Sequence, residues 1–335
     1  MDQQNSQSLL VDKDLADAKR IIDKITIAYQ RKVVGQDELR LSMLVALIAN
    51  GHVLLESVPG LAKTLAAKTI SEAASGTFSR IQCTPDLLPS DIIGTQIYNY
   101  NTGSFETKVG PVHANFILLD EINRSSAKTQ SAMLEAMQER QVSVGGIIYK
   151  MPEPFIVLAT QNPIEQEGTY ELPEAQLDRF LLKEVVNYPS RDEELQILNS
   201  ILNGNITTPL SESEKINITD IQKLQNYAER VVVDDSIKNY IINIVTATRN
   251  PRELIDASLA RYVEYGVSPR GGIALMKVAQ AIALMEGRAY TTPDDVKRLR
   301  YAALRHRIIL NFEAAADEIH PEAIIDAIFA KIQTP

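Results

Sequence analysis

Five short apolar runs lie along the first half of the chain, separated mostly by stretches with a helical pattern such as 126–140. The runs are rich in β-branched residues and occupy positions 52–56, 78–83, 116–120, 155–160 and 180–186. Strands that are apolar on both faces and alternate with helices are typical of a parallel sheet covered on each side. The pattern therefore predicts an α/β fold with a five-stranded parallel sheet, in which ligands bind at the carboxyl ends of the strands.

Two polar segments between these runs have the pattern of β-hairpins. In the first, 97–109, alternating residues flank a turn at Asn101 and Gly103. In the second, 142–149, they flank the pair Gly145–Gly146, which is a strong signal for a two-residue turn. We expect both hairpins to be insertions between core elements.

The pattern changes after Pro189, where the alternation typical of strands ends. Helices are predicted at 191–203, 218–230, 235–250, 269–286 and 293–308. At 335 residues the chain is also long enough for two domains. We therefore predict an α/β core over residues 1–190 and an all-helical domain over residues 191–335.

Composition and charge argue against several classes of protein. The formal net charge is −9, which disfavours a sequence-independent nucleic-acid binder, because such proteins concentrate Lys and Arg. No apolar run approaches the roughly 18 residues of a membrane helix, and the polar, acidic N-terminus lacks the features of an export signal. A single cysteine, Cys83, cannot form an internal disulfide, which fits the reducing cytoplasm. We expect a cytoplasmic protein that neither binds nucleic acid nor inserts into a membrane.

The loop after the first predicted strand has the residue types of a phosphate-binding loop and opens a helix. Small residues there let successive backbone N–H groups turn toward an anion at the helix N-terminus. Lys63 would reach the β- and γ-phosphates of a nucleotide, and Thr64 would place its hydroxyl on Mg²⁺. The candidate nucleotide-binding residues of this loop are Ser57, Val58, Pro59, Gly60, Leu61, Ala62, Lys63 and Thr64.

The match to the phosphate-binding pattern G-x-x-x-x-G-K-[ST] is imperfect, since Ser57 and Ala62 occupy its two glycine positions. Ala62 fits if it already has helical dihedral angles, and Ser57 fits only if its φ is negative. Taken alone, the segment is also compatible with an ordinary strand–turn–helix connection.

A second motif strengthens the first. The run at 116–120 ends in two acids, Asp120 and Glu121, at the carboxyl end of another predicted strand. Asp120 is placed to hold Mg²⁺ together with Thr64, and Glu121 to orient and deprotonate the attacking water. Two acids at a strand end are common loop starts by themselves, but the two motifs together predict an Mg²⁺-dependent ATPase.

Three further polar residues complete the candidate catalytic set. Asn162 follows the run at 155–160 and can donate to the γ-phosphate or the water, although an Asn before Pro163 is also typical of a turn. Arg179 lies immediately before the last predicted strand. Arg270 lies in the first turn of a predicted helix, where the helix dipole disfavours a cation. Its presence there suggests a nearby anion, either a phosphate or an Asp or Glu partner.

The complete set of motifs resembles the AAA+ ATPases, and more narrowly the MoxR family within the clade that carries an insert in its second helix. The matching segments are VVGQ (33–36), ESVPGLAKT (56–64), TPDLLPSDIIGT (84–95), the long segments 118–146 and 159–180, and YGVSPRGG (265–272). The resemblance implies an AAA+ core followed by a helical lid. In that fold, 97–109 would be the helix-2 insert and 142–149 the pre-sensor insertion.

The resemblance also implies roles for individual residues. The residues near the adenine of ATP would be Val34, Gly35 and Gln36. Asn162 would be the sensor 1 residue, Arg179 an arginine finger acting on a neighbour's ATP, and Arg270 the sensor 2 residue of the lid. Arg124 would also face the subunit boundary.

A finger that acts on a neighbour requires a homo-oligomer, and the resemblance implies a hexameric ring. Proteins of the MoxR family are linked to the maturation of metalloenzymes and of surface or envelope complexes, often beside partners with von Willebrand factor A domains. The resemblance therefore implies a chaperone-like remodeller of client proteins that uses ATP and Mg²⁺.

Three alternatives remain open from the sequence. One is a nucleic-acid motor or transcription activator of the same superfamily, against which stand the acidic charge and the lack of a GAFTGA-type loop in 97–109. A second is a motor subunit of magnesium chelatase. A third is a nucleotide-gated scaffold that barely hydrolyses ATP, which Ser57 at the first glycine position of the loop keeps open.

Overall fold

The computed structural model describes residues 9–163, 169–204 and 206–335. Part of the segment 159–180, named above for its resemblance, lies outside these residues, as does most of the polar N-terminal segment. Within the described ranges, no helix is long and apolar enough to cross a membrane.

A five-stranded parallel sheet forms the centre of the core, as the apolar runs predict. The core strands are β1 (Val53–Glu56), β2 (Phe78–Gln82), β3 (Gly94–Asn99), β4 (Ser104–Val109), β5 (Phe116–Asp120), β6 (Gln141–Val144), β7 (Ile147–Lys150), β8 (Ile156–Gln161) and β9 (Leu182–Val185). The sheet has the order β2-β5-β8-β1-β9, and each neighbouring pair is parallel. The first strand of the chain therefore lies between two later ones, so the connections must cross the sheet.

Side chains of β5 alternate between the two faces of the sheet. Phe116 and Leu118 join the apolar cluster on one face, whereas Ile117 and Leu119 join the cluster on the other. All five residues of this strand are buried. A strand buried on both faces has no reason to alternate apolar with polar residues, which explains why the residues from Phe116 to Leu119 are all apolar.

Helices cover both faces of the sheet. The core helices are α1 (Asp12–Lys32), α2 (Asp37–Ile48), α3 (Lys63–Ala73), α4 (Pro89–Ile93), α5 (Ala127–Glu139) and α6 (Glu174–Leu177). Helix α1 packs against α3 and contributes Ile21 and Ile25 to one cluster, while α5 contributes Met133 and Met137 to the other. Helix α1 was not predicted, although its apolar residues recur at helical spacing.

Two antiparallel hairpins lie in the segments with hairpin patterns. Strands β3 and β4 pair from Gly94–Val109 to Asn99–Ser104, so this hairpin starts three residues before the predicted segment. Strands β6 and β7 are joined by Gly145 and Gly146, whose φ angles are +60° and +82°. Positive φ at both central residues is the requirement of the tight turn that glycine pairs favour.

The second part of the chain is mainly helical. Its helices are α7 (Arg191–Leu202), α8 (Ile218–Glu229), α9 (Asp235–Arg249), α10 (Ala257–Ala260), α11 (Pro269–Met285), α12 (Pro293–Arg298), α13 (Arg300–Leu304), α14 (Phe312–Ala316) and α15 (Pro321–Lys331). Short 3₁₀ turns lie at Glu212–Glu214 and Pro251–Glu253 in this part, and at Ile122–Arg124 in the core. Helix α11 is central, since it packs against α8, α9, α12 and α13.

Two details of the helical part differ from the sequence prediction. The helix predicted at 293–308 is broken at Leu299, whose ψ of +29° is not helical, and it becomes α12 and α13. A small antiparallel ribbon pairs β10 (Val263–Tyr265) with β11 (Ile309–Leu310). Strands of two and three residues are too short to show alternation, so the sequence pattern did not predict them.

Candidate nucleotide-binding site

Most of the predicted site residues meet at the carboxyl edge of the sheet, whereas Arg179 and Arg270 do not. Strands β5, β8 and β1 are adjacent, and the chain leaves them at Glu121, Asn162 and Ser57 respectively. Because the strands are parallel, all three exits lie side by side. The sheet topology therefore brings together segments that are far apart in the sequence.

The phosphate-binding loop connects β1 to α3. Gly60 has a φ of +88°, which glycine adopts without strain. Ala62 has a φ of +56° and a ψ of +15°, so it does not meet the condition of helical dihedral angles under which alanine would fit the loop easily. The φ of Ser57 is not positive, so this residue meets the condition stated for it above. Its side chain is buried, and its hydroxyl donates to the Val58 carbonyl. The serine is therefore tolerated, while the alanine adopts a left-handed conformation that L-residues disfavour.

Lys63 begins α3 and points into the site. Its Nζ donates weakly to the Ser57 carbonyl at 3.4 Å. Burial lowers the pKa of Lys63, while the negative charges of Asp120 and Glu121 act in the opposite direction. The ammonium is thus within electrostatic reach of both acids. Thr64 follows in the first turn of the helix and is half-buried.

Asp120 and Glu121 are tied together by a threonine on the neighbouring strand. The Thr160 hydroxyl donates to Asp120 Oδ1 at 2.8 Å. It also accepts the backbone N–H of Glu121 at 2.8 Å. Thr160 is fully buried. Its bond to Asp120 is buried and shielded from water, while its bond to the Glu121 N–H is partly buried.

The Glu121 backbone has φ +58° and ψ +53°, a left-handed conformation that is uncommon outside glycine and asparagine. Its carboxylate Oε2 accepts from Gln82 Nε2 at 2.9 Å and lies 3.3 Å from Arg124 Nη1. Arg124 therefore contacts the catalytic candidate of its own subunit. Strain at such a residue is a recurrent property of functional sites.

Arg80 on β2 forms an ion pair with Asp120. Its Nη2 lies 2.5 Å from Asp120 Oδ2, and the guanidinium side chain is 49% exposed. A carboxylate offers about four lone-pair positions, so Asp120 can accept these bonds and still bind a cation. Carboxylate and hydroxyl oxygens are the ligands that Mg²⁺ prefers. The donor set of Asp120 and Thr64 therefore fits the metal predicted from the sequence.

The segment Val34–Gln36 lies at the same edge of the sheet. Gln36 Nε2 donates to the carbonyl of Asn187, which follows β9. Gly35 and Gln36 both have positive φ, +65° and +55°. Gln36 also lines a cleft of about 650 Å³ between β9, the start of α2 and the helices α12 and α13. This volume is within the usual range for ligand pockets.

Arg179 and Arg270 lie together elsewhere. Both line a cavity of about 250 Å³ with residues 49–52, which precede β1, and with Lys277 and Arg307. Residues before β1 and β9 are at the amino edge of the parallel sheet, opposite the phosphate-binding loop. Among the described residues, Arg179 Nε is buried and has no hydrogen-bond partner. The cavity is therefore strongly basic and contains an unused donor.

Asp178 connects this cavity to the lid. Its Oδ1 lies 2.8 Å from Nε of the buried Arg307, and its Oδ2 accepts from the Ser268 hydroxyl at 2.8 Å. Ser268 is the N-cap of α11, the helix that carries Arg270. Burial lowers the pKa of Arg307 to about 10, although Asp178 opposes this effect. One carboxylate thus holds the segment of Arg179 against the helix of Arg270.

Asn162 follows the last residue of β8 and is buried, between the exits of β5 and β1. The position agrees with contact to a bound phosphate or water. Its role stays a prediction.

Comparisons with known proteins agree with this arrangement. A family model described as "ATPase family associated with various cellular activities (AAA)" matches residues 52–182, and a model described as "AAA lid domain" matches residues 256–328. The chain is 47% identical over 321 residues to chaperone MoxR1 of Mycobacterium tuberculosis, covering 96% of this chain and 84% of that protein. The chain belongs to the MoxR family of AAA+ ATPases.

Two further proteins are similar over almost their full length. The YeaC protein of Bacillus subtilis is 45% identical over 320 residues, covering 95% of this chain and 96% of that protein. A crystal structure from Cytophaga hutchinsonii, of a protein assigned as an ATPase, has a TM-score of 0.89 and 44% identity. The match covers 96% of this chain and 97% of that one.

The MoxR-family site includes residues that sequence reasoning missed. Thr160 and Gln82 contact the two acids, and Arg80 pairs with Asp120. Asp178 and Arg307 join the core to the lid. The sequence did carry one usable signal, because Thr160 and Gln82 both lie at carboxyl ends of predicted strands, where polar side chains approach a ligand.

Proposed function

We propose that this MoxR-family ATPase hydrolyses Mg²⁺–ATP as a homo-oligomeric ring and uses the energy for chaperone-like remodelling of client proteins. The observation that carries the nucleotide part is the approach of Lys63 to Asp120 and Glu121 at one sheet edge. Lysine and the loop N–H groups bind phosphates, while the acids hold metal and water. Val34, Gly35 and Gln36 then border the adenine.

Magnesium would be held by Thr64 and Asp120. When bound, the ion neutralises charge on the phosphates during transfer. The chain's own task is to present the Asp120 carboxylate at the correct place. Thr160 and Arg80 perform it through one hydrogen bond and one ion pair.

Glu121 is the proposed general base, which orients and deprotonates the attacking water. Its Oε2 is occupied by Gln82 and Arg124, so the carboxylate must exchange at least one of these contacts for water. Asn162 is proposed to donate to the γ-phosphate or the same water. The buried Thr160 contact keeps the Glu121 backbone in place during this exchange.

Arg179 and Arg270 are proposed to act on the ATP of an adjacent subunit. They share a basic cavity at the sheet edge opposite to their own phosphate-binding loop. Arginines at that edge cannot easily reach a nucleotide on the other edge, because β1 alone spans roughly 13 Å at 3.3 Å per residue. The arginines of one subunit could instead contact the ATP bound to a neighbouring subunit. Repetition of this contact implies a closed ring, which we propose is a hexamer.

The hairpins are the proposed client contacts. Tyr100 and Phe105 on the β3–β4 hairpin are 90% and 66% exposed, and Tyr98 packs edge-on against both rings. Exposed aromatic clusters are unusual on a surface without a binding role. Partners with von Willebrand factor A domains remain a proposal that follows from family membership.

The test is ATP turnover measured at increasing protein concentration. Turnover per subunit should rise as rings form, and Glu121→Gln should lower kcat at least 100-fold. Glu135→Gln, the same change on an exposed face of α5, is the matched control and should retain wild-type kcat. Turnover near zero in the wild-type protein with tight ATP binding would instead indicate a nucleotide-gated scaffold.

A second test concerns the client. Glu121→Gln protein loaded with ATP should retain bound client during affinity capture, since it cannot complete the cycle. Recovery of only its own subunits from cell extract would contradict the remodelling proposal while leaving the ATPase assignment intact.

A further inference from the structure

Helix α7 carries an apolar stripe with no partner in its own subunit. Leu195, Leu198 and Leu202 are 59%, 59% and 84% exposed. They are spaced three and four residues apart, so they share one face of the helix. None of the residues of α7, all of which are described, is buried. The stripe is therefore mostly exposed to solvent in the isolated subunit.

The stripe points away from the protein. The less exposed residues of α7 are Glu193, Ile197 and Ser200. At 3.6 residues per turn, their common direction is roughly 160° around the helix from that of the leucines. Helix α7 thus rests on the body of the subunit by one side and presents leucines on the other.

A complementary apolar groove lies on the lid, between α9 and α11. It has a volume of about 400 Å³ and is lined by Ile241, Ile242, Val245, Ile273 and Met276, among others. Ile242 and Ile273 are 59% and 51% exposed. The groove is thus an open apolar surface between two helices, which is the form that receives the apolar face of a third helix.

The two surfaces are on opposite sides of the proposed subunit interface. Ile273 lines both the groove and the basic cavity of Arg179 and Arg270, so the groove continues the face proposed to approach a neighbour. Helix α7 lies on the nucleotide side, since a Cβ atom at Gly35 would come within 2.7 Å of Glu193 Cδ. When the arginines of one copy approach the nucleotide of the next, the groove and α7 approach each other.

Charge on the two surfaces is also complementary. The first turn of α7 contains Asp192, Glu193 and Glu194. Lys238 and Arg249 are exposed at the rim of the groove, and both line it. Opposite charges at the rim favour one orientation of docking and disfavour others.

We propose that the leucine stripe of α7 docks in the α9–α11 groove of the adjacent copy and forms part of the ring interface. The proposal rests on the ring of the proposed function and specifies which surfaces meet in it. The contact is heterologous, because two different surfaces of the chain meet, and repetition of such a contact closes a ring when the rotation fits.

Disulfide cross-linking between copies tests the contact directly. The chain has a single cysteine, Cys83, and it is buried, so introduced cysteines report without background. Leu198→Cys protein is mixed with Ile242→Cys protein in the presence of ATP and an oxidant. We expect cross-linked dimers from the mixture and none from either protein alone. Gln196→Cys, on the flank of α7, replaces Leu198→Cys as the matched control and should cross-link at least fivefold less.

Charge substitution gives an independent measurement. Leu198→Asp should weaken self-association about ten- to hundredfold, because a leucine loses its apolar burial, whereas Gln196→Asp should change it less than threefold. Ile242→Lys in the same chain as Leu198→Asp should recover part of the loss. Circular dichroism verifies that each variant is folded, which is expected because the substituted side chains are exposed.

The outcomes separate this proposal from the proposed function. The protein could form rings whose turnover depends on Arg179 and yet show no more cross-linking at position 198 than at position 196. This result would overturn the proposed docking of α7 but would still support the proposed ring. Loss of client capture in Leu198→Asp or Ile242→Lys with self-association unchanged would also overturn it, since the groove would then serve a client. Absence of any self-association would contradict both proposals.

Discussion

The Thr160 hydroxyl lies 2.8 Å from Asp120 Oδ1 and donates a hydrogen bond to it. The same oxygen accepts the backbone N–H of Glu121 at 2.8 Å. One buried side chain on β8 therefore positions the proposed metal ligand and the backbone of the proposed general base. This relationship links the pairing of β5 and β8 to catalysis.

Thr160→Val keeps the shape of the side chain and removes the hydroxyl. It removes one buried and one partly buried hydrogen bond, so we expect the free energy of unfolding to fall by about 2 kcal/mol. We also expect kcat to fall about tenfold, since both acids lose a fixed position. Urea unfolding and steady-state turnover check these values, with Thr160→Ser as the control that keeps the hydroxyl. Unchanged kcat in folded Thr160→Val would exclude a positioning role.

Ala62→Gly removes the left-handed strain in the phosphate-binding loop. A left-handed conformation costs alanine about 1–2 kcal/mol, and glycine avoids this cost. Glycine also raises the conformational entropy of the unfolded chain, which offsets part of the gain in stability. We therefore expect a net stabilisation of up to about 1 kcal/mol. Ala66→Gly, in the interior of α3, should instead destabilise by about 1 kcal/mol or more. Thermal unfolding of both variants gives the signs. A destabilised Ala62→Gly would contradict the strained conformation.

His52 makes stability dependent on pH. Its Nδ1 accepts the Val157 N–H and its Nε2 donates to the Met137 carbonyl, and burial lowers the pKa of the ring to about 3. The pKa of a histidine in the unfolded chain is about 6.5. Between this pH and about pH 3, the unfolded chain binds a proton at residue 52 that the folded chain does not bind. The stability that His52 contributes therefore decreases as the pH is lowered through this range. The difference in unfolding free energy between wild type and His52→Gln should therefore shrink by about 1 kcal/mol from pH 7 to pH 5.5.

The control for this prediction is the exposed His320. His320→Gln should keep the pH dependence of the wild type in the same urea titrations. A His52→Gln protein whose acid sensitivity equals that of the wild type would show that the buried ring does not contribute.

Asp178→Asn leaves the buried Arg307 without its carboxylate. Breaking a buried ion pair on one side costs about 3–5 kcal/mol. We expect lower stability and, since Asp178 also holds the N-cap of α11, a loss of turnover greater than the fraction unfolded explains. Glu174→Gln, an exposed substitution nearby, should leave both quantities unchanged. Destabilisation with wild-type kcat for the folded fraction would indicate a purely structural pair.

Much of the core could be predicted because strands buried on both faces are mostly apolar, as the first four residues of β5 are. The edge that carries the site could also be predicted. Asp120 and Glu121 lie at the end of one strand, the loop that leads to Lys63 follows another, and the topology of a parallel sheet brings such ends together. Thr160 could not be identified as their partner, because its position depends on the register of Leu119 with Ala159.

Other features depend on tertiary contacts or local dihedral angles that a single sequence does not reveal. Arg307 and Asp178 are 129 residues apart in the chain, so no local pattern connects them. Ala62 adopts an angle that its residue type disfavours, and the helix break at Leu299 lacks a proline or glycine signal. In each case tertiary contacts, and not the local sequence, determine the observed conformation or pairing.

Arg179 is proposed to complete the active site of a neighbouring copy. Mixing two inactive variants tests it most directly. Glu121→Gln subunits keep the arginine but cannot activate water, and Arg179→Ala subunits keep the base but lack the arginine. In a ring where the arginine acts on the neighbour, a Glu121→Gln subunit can complete the site of an adjacent Arg179→Ala subunit.

The measurement is ATP turnover of an equal mixture of the two variants after reassembly. If subunits mix at random, about one interface in four is complete, so we expect recovery of about a quarter of wild-type turnover. Each variant alone should stay near background. A mixture that stays at background, although subunits exchange, would show that Arg179 acts within its own subunit or not at all.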